Sequence, residues 1–419
     1  MIAALAAAVA LATPTPAPSA KPTSEPIHLR GHIVGEAAAN PSGGLQRGTA
    51  FASEFMLGAD VDFAKLTGAG GTLHVTFTMR QGSSLSANAL GNIFTVQEIY
   101  GDGLTPRLTE FSYEQAFANG KVDAIAGRVI TENDFAVSPV YWGDSLYCTF
   151  QNNGICGTPI SIPINGGYVA YPSSAWGARV KVMPTSNFYV ETGAYQVNPS
   201  YGLRGHGFDL STTGDSGTYY PLELGFKLND YNGTSTGNVR IGGYYDTSSG
   251  FGVQNQITRF ISPSSPAIAT LPNVPYAGRW GYWLQADHLL SGSAKKHERG
   301  IAAFASLVYG DPRTALLSFF GDGGIVAHGT FAGRDDDTVS LGYAYGNVNP
   351  QLRTFESSLI ASGIPVPLNG QERVVELNYG WQMRPNVTLR PGLQYVMAPS
   401  GNLQIPNAIV ADLQAVIGF

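Results

Sequence analysis

Apolar residues recur at every second position along most of this chain. Leu73, Val75, Phe77 and Met79 alternate with His74, Thr76, Thr78 and Arg80. Leu222, Leu224, Phe226 and Leu228 alternate with Glu223, Gly225, Lys227 and Asn229. Val375, Leu377, Tyr379, Trp381 and Met383 do the same against Glu376, Asn378, Gly380 and Gln382. Successive side chains of a β-strand point to opposite faces, so a period of two predicts strands with one apolar and one polar face. Sixteen such segments begin near Phe51, Gly71, Ile93, Arg107, Lys121, Ser174, Asn187, Tyr219, Gly237, Trp280, Glu298, Arg313, Asp336, Gln371, Asn386 and Asn407. Phe251–Ile261 reads as either loop or strand. The segments run about 10 residues, the length of a tilted strand crossing a bilayer, whereas soluble sheets favour about 5–6. Asn119-Gly120, Asn232-Gly233, Arg384-Pro385-Asn386 and Ser400-Gly401 supply turns between them.

The pattern predicts an all-β protein: a transmembrane antiparallel β-barrel of about 16 strands. Within lipid every backbone polar group needs a partner, and closure removes the bare edges of a sheet. An even strand number permits antiparallel closure. Sixteen strands enclose an aqueous lumen, which the polar faces would line.

Composition agrees. Only 13% of residues are charged, against roughly 25% in a typical soluble domain. A face that meets lipid must exclude charge. The net charge of −6 argues against a broad basic face for nucleic acid. No run approaches the ~18 apolar residues of a spanning helix.

The ends carry further signals. Residues 1–20 read as an export signal: Ile2–Ala12 forms a short apolar run, and Ala10-Leu11-Ala12 offers a small-residue cleavage site, although no Lys or Arg precedes the run. Residues 21–50 read as a periplasmic lead-in or short plug, and 51–419 as the barrel. At the other end Ile409, Ala411, Leu413, Ala415, Ile417 and Phe419 share one face. A last amphipathic strand ending in Phe resembles the signal taken up by the outer-membrane barrel insertion machinery.

Several stretches in order resemble the carbohydrate-selective porin family of Gram-negative outer membranes. They include Arg80-Gln81-Gly82, Arg107–Gln115, Ala126-Gly127-Arg128 with Asn133-Asp134-Phe135, Cys156-Gly157-Thr158-Pro159, Tyr171–Gly177, Gly333–Asp337, Glu376–Tyr379 and Leu389–Tyr395. The match is spread over roughly residues 40–419. The resemblance implies passive diffusion of sugars such as glucose through a 16-stranded outer-membrane barrel.

A pore that favours sugars needs groups that replace water around hydroxyls. Arg donates a planar fork and carboxylates accept. Parity puts Arg80, Glu114 and Arg179 on polar faces. Arg128 has neutral neighbours, Ala124 and Ala126, and Glu98 lies in a segment (Ile93–Tyr100) that alternates poorly; both join the candidates for the constriction. Trp176 is a candidate stacking face or an interfacial anchor. The long connection from about Glu132 to Ser173 is expected to fold inward and narrow the pore; it contains Pro139, Trp142 and Tyr147. Cys148 and Cys156, the only cysteines, fall in it. In an oxidising compartment they are expected to form a disulfide worth ~2–3 kcal/mol on the chain-entropy model. Two Cys without a nearby His do not make a metal site, and no cofactor is expected.

Two other readings compete. A general or otherwise solute-specific porin shares every feature above except the family likeness. A barrel enzyme would need a converging Ser, His and acid, but the seven His are scattered and no Gly-x-Ser-x-Gly or His-Glu-x-x-His occurs. Expected partners are carbohydrate solutes, outer-membrane lipid and lipopolysaccharide, and the insertion machinery. The sequence does not choose between a monomer and a homotrimer.

Overall fold

A computed structural model describes residues 25–101, 104–137, 148–229, 235–259, 274–292 and 299–419. The expected signal segment, the turn at Asn232-Gly233, and Pro139, Trp142 and Tyr147 lie outside them. Among the described residues sixteen strands close into one antiparallel barrel. They are β1 (Ile27–Ser42), β2 (Gly48–Asp62), β3 (Thr72–Gly82), β4 (Pro106–Phe117), β5 (Val122–Val129), β6 (Ala175–Thr185), β7 (Phe188–Val197) and β8 (Gly217–Asn229). The second half holds β9 (Ser235–Phe251), β10 (Pro275–Gly292), β11 (Gly300–Gly310), β12 (Leu317–His328), β13 (Thr338–Val348), β14 (Gln371–Arg384), β15 (Val387–Met397) and β16 (Ala408–Gly418). Each strand pairs with its neighbours in sequence, and β1 pairs with β16 to complete the ring. At this seam Gly31 and Phe419 exchange backbone hydrogen bonds of 2.9 Å in both directions.

Two expectations need correction. Residues 27–42 are the first barrel strand, so the barrel begins before Phe51 and no lead-in or plug occupies the whole of 21–50. His28 lies opposite Asp60, while Val34 lies opposite Glu54 on one side and Val416 on the other. The outward positions Gly31, Gly35, Ala37 and Ala39 are small, which blunts the alternation. Conversely, no strand begins at Ile93. Residues 83–101 fold into the lumen, and Phe94, Val96 and Ile99 are apolar because they are buried there. The two departures cancel in the strand number. Phe251 ends β9, and a 3-10 stretch, Val253–Arg259, follows it.

The two faces separate as the alternation requires. Leu377, Trp381, Met383, Leu393, Tyr395, Ile409, Leu413 and Ile417 are exposed on the outside, as lipid-facing residues should be. Glu376, Asn378, Gln394, Asp412 and Gln414 are buried on the inside. Short turns such as 385–386 gather at the end where the chain terminates. The long connections 83–105, 130–174, 198–216 and 349–370 gather at the other. In outer-membrane barrels short turns face the periplasm and long loops the exterior.

Candidate pore wall and constriction

The described parts of the connection after β5, residues 130–137 and 148–174, lie against the inner wall of the barrel. From the end of β5 the chain reaches β8, where Ala136 N donates to Glu223 Oε2 at 3.0 Å. Arg240 of β9 and Gln285 of β10 donate to its carbonyls at Val137 and Ala136. Farther round, Gln151 N and Asn152 N donate to the two oxygens of Glu376 on β14, at 2.9 and 2.8 Å. Asn165 donates to Leu317 O at 2.8 Å. The Tyr171 hydroxyl donates to Glu54 Oε1 on β2 at 3.0 Å. Cys148 and Cys156 are joined, closing the seven residues between them into a loop. An irregular backbone within a barrel has no ladder partners, so inward side chains must satisfy it.

A polar wall occupies the inner faces of β1 to β6. His32 Nε2 and Arg80 Nε meet Glu54 at 2.7 and 2.6 Å, and the Arg80 guanidinium lies 4.9 Å from the centre of the Tyr171 ring. Burial pushes the Tyr171 hydroxyl well above its ordinary range, and Glu54 adds to the shift, so this group stays a donor. Nearer the terminal end, Arg30 contacts Asp60 at 3.1 Å and Glu110 at 3.3 Å. His74 bridges Asp60 and Glu114 at 2.8 and 3.3 Å. Arg179 contacts Glu114 at 3.3 Å, Asp134 at 3.0 Å, and Asp123. Burial raises the Asp134 carboxyl above its usual value against the pull of Arg179. Side chains of Asp60, His74 and Glu114 keep 24%, 18% and 21% of their surface exposed, whereas Glu54 keeps 0%. The wet part of this wall therefore alternates cationic donors with carboxylate acceptors.

Arg80, Glu114 and Arg179 all belong to this wall, as parity expects. Glu98 does not stand on a strand. It belongs to the inward segment 83–101, and its N–H donates to Gln151 O at 3.0 Å. Arg128 and Trp176 are not brought to the wall. They pair with each other, and Arg128 also pairs with Phe111, which is exposed on the outer face. The connection 198–216 covers both: Arg128 donates to Ser174 O at 2.6 Å and stacks 3.9 Å from the Tyr201 ring, while Trp176 Nε1 donates to Leu210 O at 3.1 Å. Parity already held the signal for Trp176, because it shares alternation with Val180 and Val182. For Arg128 the register runs unbroken through Gly127, and its even-numbered neighbours Ala124 and Ala126 are too small to mark the outer face. Glu54 and Asp60 share the polar face of a segment whose other face carries Phe55, Leu57, Ala59 and Val61. Tyr171 and Asp134 carry no such signal, because an irregular connection has no parity.

Comparison with known proteins gives the same architecture a lineage. The model of the carbohydrate-selective porins, OprB family, matches residues 46–419. Porin B of Pseudomonas aeruginosa is 31% identical over 398 residues, covering 91% of this chain and 85% of the relative. A protein described as putative porin QuiX of Acinetobacter baylyi is 28% identical over 414 residues, covering 92% of this chain and 88% of its own. The high-pH structure of OprB from Pseudomonas putida superposes with a TM-score of 0.85 at 29% identity, over 94% of both chains. This chain, a closed 16-strand barrel with a polar lumen, belongs to the OprB family of carbohydrate-selective porins of the Gram-negative outer membrane.

Proposed function

We propose that glucose and similar sugars diffuse passively through this porin past the partly exposed wall of β1 to β6, with Arg80, Glu114 and Arg179 among the groups they meet. The supporting observation is the alternation of donors and acceptors there: Arg30, Asp60, His74, Glu114 and Arg179 in continuous contact. A sugar ring carries hydroxyls that both donate and accept. Guanidinium and carboxylate groups held in place replace its water without reorganising, and the field between them orients it. The inward connections set the width of the passage, and Glu98 acts within them. The disulfide Cys148–Cys156 stiffens the same region. Arg128 and Trp176 shape the rim beneath the 198–216 connection. The protein is a channel and carries out no covalent chemistry. It works as a monomer or homotrimer amid outer-membrane lipid and lipopolysaccharide, delivered by the insertion machinery through the strand ending in Phe419.

Swelling of proteoliposomes in glucose, a disaccharide, an amino acid and an anion of similar size tests the preference. Faster glucose entry is expected. Equal rates would make the protein a general diffusion porin.

A further inference from the structure

Both inward segments come to rest on one strand. β14 turns Glu372, Val374, Glu376 and Asn378 towards the lumen, and all four are buried. Glu372 accepts from Ile93 N and Phe94 N, each at 2.7 Å, and from Ser400 N. Glu376 takes Gln151 N and Asn152 N, one on each oxygen. Asn378 donates to Thr149 O at 2.8 Å and, at the same distance, to Glu376 Oε1. The segments also bond to each other: Glu98 N to Gln151 O at 3.0 Å and Asn153 N to Thr95 O at 2.9 Å.

The neighbouring strand β13 leaves room for their apolar side chains. A Cβ added to Gly342 would stand 2.7 Å from Phe150 and 2.9 Å from Ile155, and one on Gly346 would collide with Phe94. The wall is thus recessed where the segments press on it and acidic where their backbones need acceptors. Consecutive N–H groups in an irregular segment are otherwise costly to bury. A carboxylate offers two equivalent acceptor oxygens and makes stronger bonds than a neutral amide; Gln offers one oxygen and two unwanted donors.

We propose that Glu372 and Glu376 are positioning residues for permeation. They fix the segments 83–101 and 148–156 as one body against β13 to β15, and so set the open cross-section without touching the solute. The proposal rests on the reading that these segments narrow the pore.

The test uses full-length Glu372→Gln, Glu376→Gln, their double variant, Gly342→Val and a deletion of 149–155. Heat-dependent gel mobility reports the closed barrel, limited proteolysis reports the seating of the segments, and planar bilayers report single-channel conductance. The double variant is expected to keep the barrel, become protease-sensitive near 149–155, and rise in conductance towards the deletion variant. Gly342→Val should do the same from the neighbouring strand. If the deletion leaves conductance unchanged, the narrowing itself is refuted. If the deletion raises conductance but the double variant behaves like the wild type, the positioning role is refuted. If the glutamate variants lose the barrel while Gly342→Val keeps both barrel and wild-type conductance, Glu372 and Glu376 are folding residues and the proposal fails.

Discussion

The guanidinium of Arg80 lies between an acid and a ring, with Glu54 at 2.6 Å and the face of Tyr171 at 4.9 Å. Removing one member of a buried ion pair leaves the other uncompensated, at a cost of about 3–5 kcal/mol. Arg80→Ala is therefore expected to lower the unfolding midpoint, to weaken current block by glucose, and to shift the reversal potential in a salt gradient towards cation selectivity. The double change Arg80→Ala, Glu54→Gln should recover part of the stability but not the glucose block; chemical unfolding and bilayer recordings check the two halves. A second residue makes a prediction outside the membrane. Burial pushes Glu356, on the helix Pro350–Ala361, up to about 7, against the bond from Asn369 N and the charge of Arg353. The folded state thus holds this proton more tightly than the unfolded chain, whose ordinary value is 4.5. Its contribution is complete below that value and is lost as pH rises through about 7. Hydrogen exchange in 349–370 should quicken across that range in the wild type and become flatter in Glu356→Gln. Unchanged pH dependence in the variant would assign the effect to another group. At this scale the sequence was informative wherever a residue sat on a regular strand. Arg80, Glu114 and Arg179 followed from parity, whereas Tyr171 lay in an irregular connection where side-chain direction has no period.

Among the elements, alternation located strands well because lipid and water impose opposite demands on successive residues. It failed at two places for opposite reasons. In β1, glycine and alanine on the outer face gave little hydrophobic contrast. In Ile93–Tyr100, apolar residues meant burial inside the lumen, not contact with lipid. Long inward connections are the part of such a barrel least legible in sequence, since their contacts depend on strands far away along the chain. The disulfide belongs to this scale. The residues it encloses include Phe150, Gln151, Asn152 and Ile155, all packed against the wall. Replacing both cysteines with serine is expected to cost the bridge ~2–3 kcal/mol, to leave the barrel closed, and to increase open-channel noise and cleavage near this segment. Quiet, protease-resistant channels would contradict that. The last strand makes a separate prediction. Phe419 closes the ladder with Gly31 and lies 6.5 Å from the Phe55 ring. Deleting Phe419 should reduce the heat-modifiable fraction in membranes, and an undiminished yield would show that the terminal aromatic is dispensable.

At the scale of the whole molecule, closure and filling divide the work. The seam between β1 and β16 removes every free edge, so the outer surface can be apolar throughout its span. Inside, residues 93–94 and 149–152 are held by β14 to β16, and the other described parts of the second inward connection touch β2, β8 to β10 and β12. The partly exposed ladder lies on β1 to β6. The low charge of the chain follows from the same division: one face of each strand excludes charge, and the other concentrates Arg, His, Asp and Glu in mutual contact. On the proposed function, this wall is what recognises sugars. Single-channel current through the wild-type protein, titrated with glucose and then with an uncharged amino acid of similar size, tests it most directly. Saturable reduction of the current by glucose, and little by the amino acid, is predicted. A current that ignores glucose, or falls equally with both solutes, would contradict it.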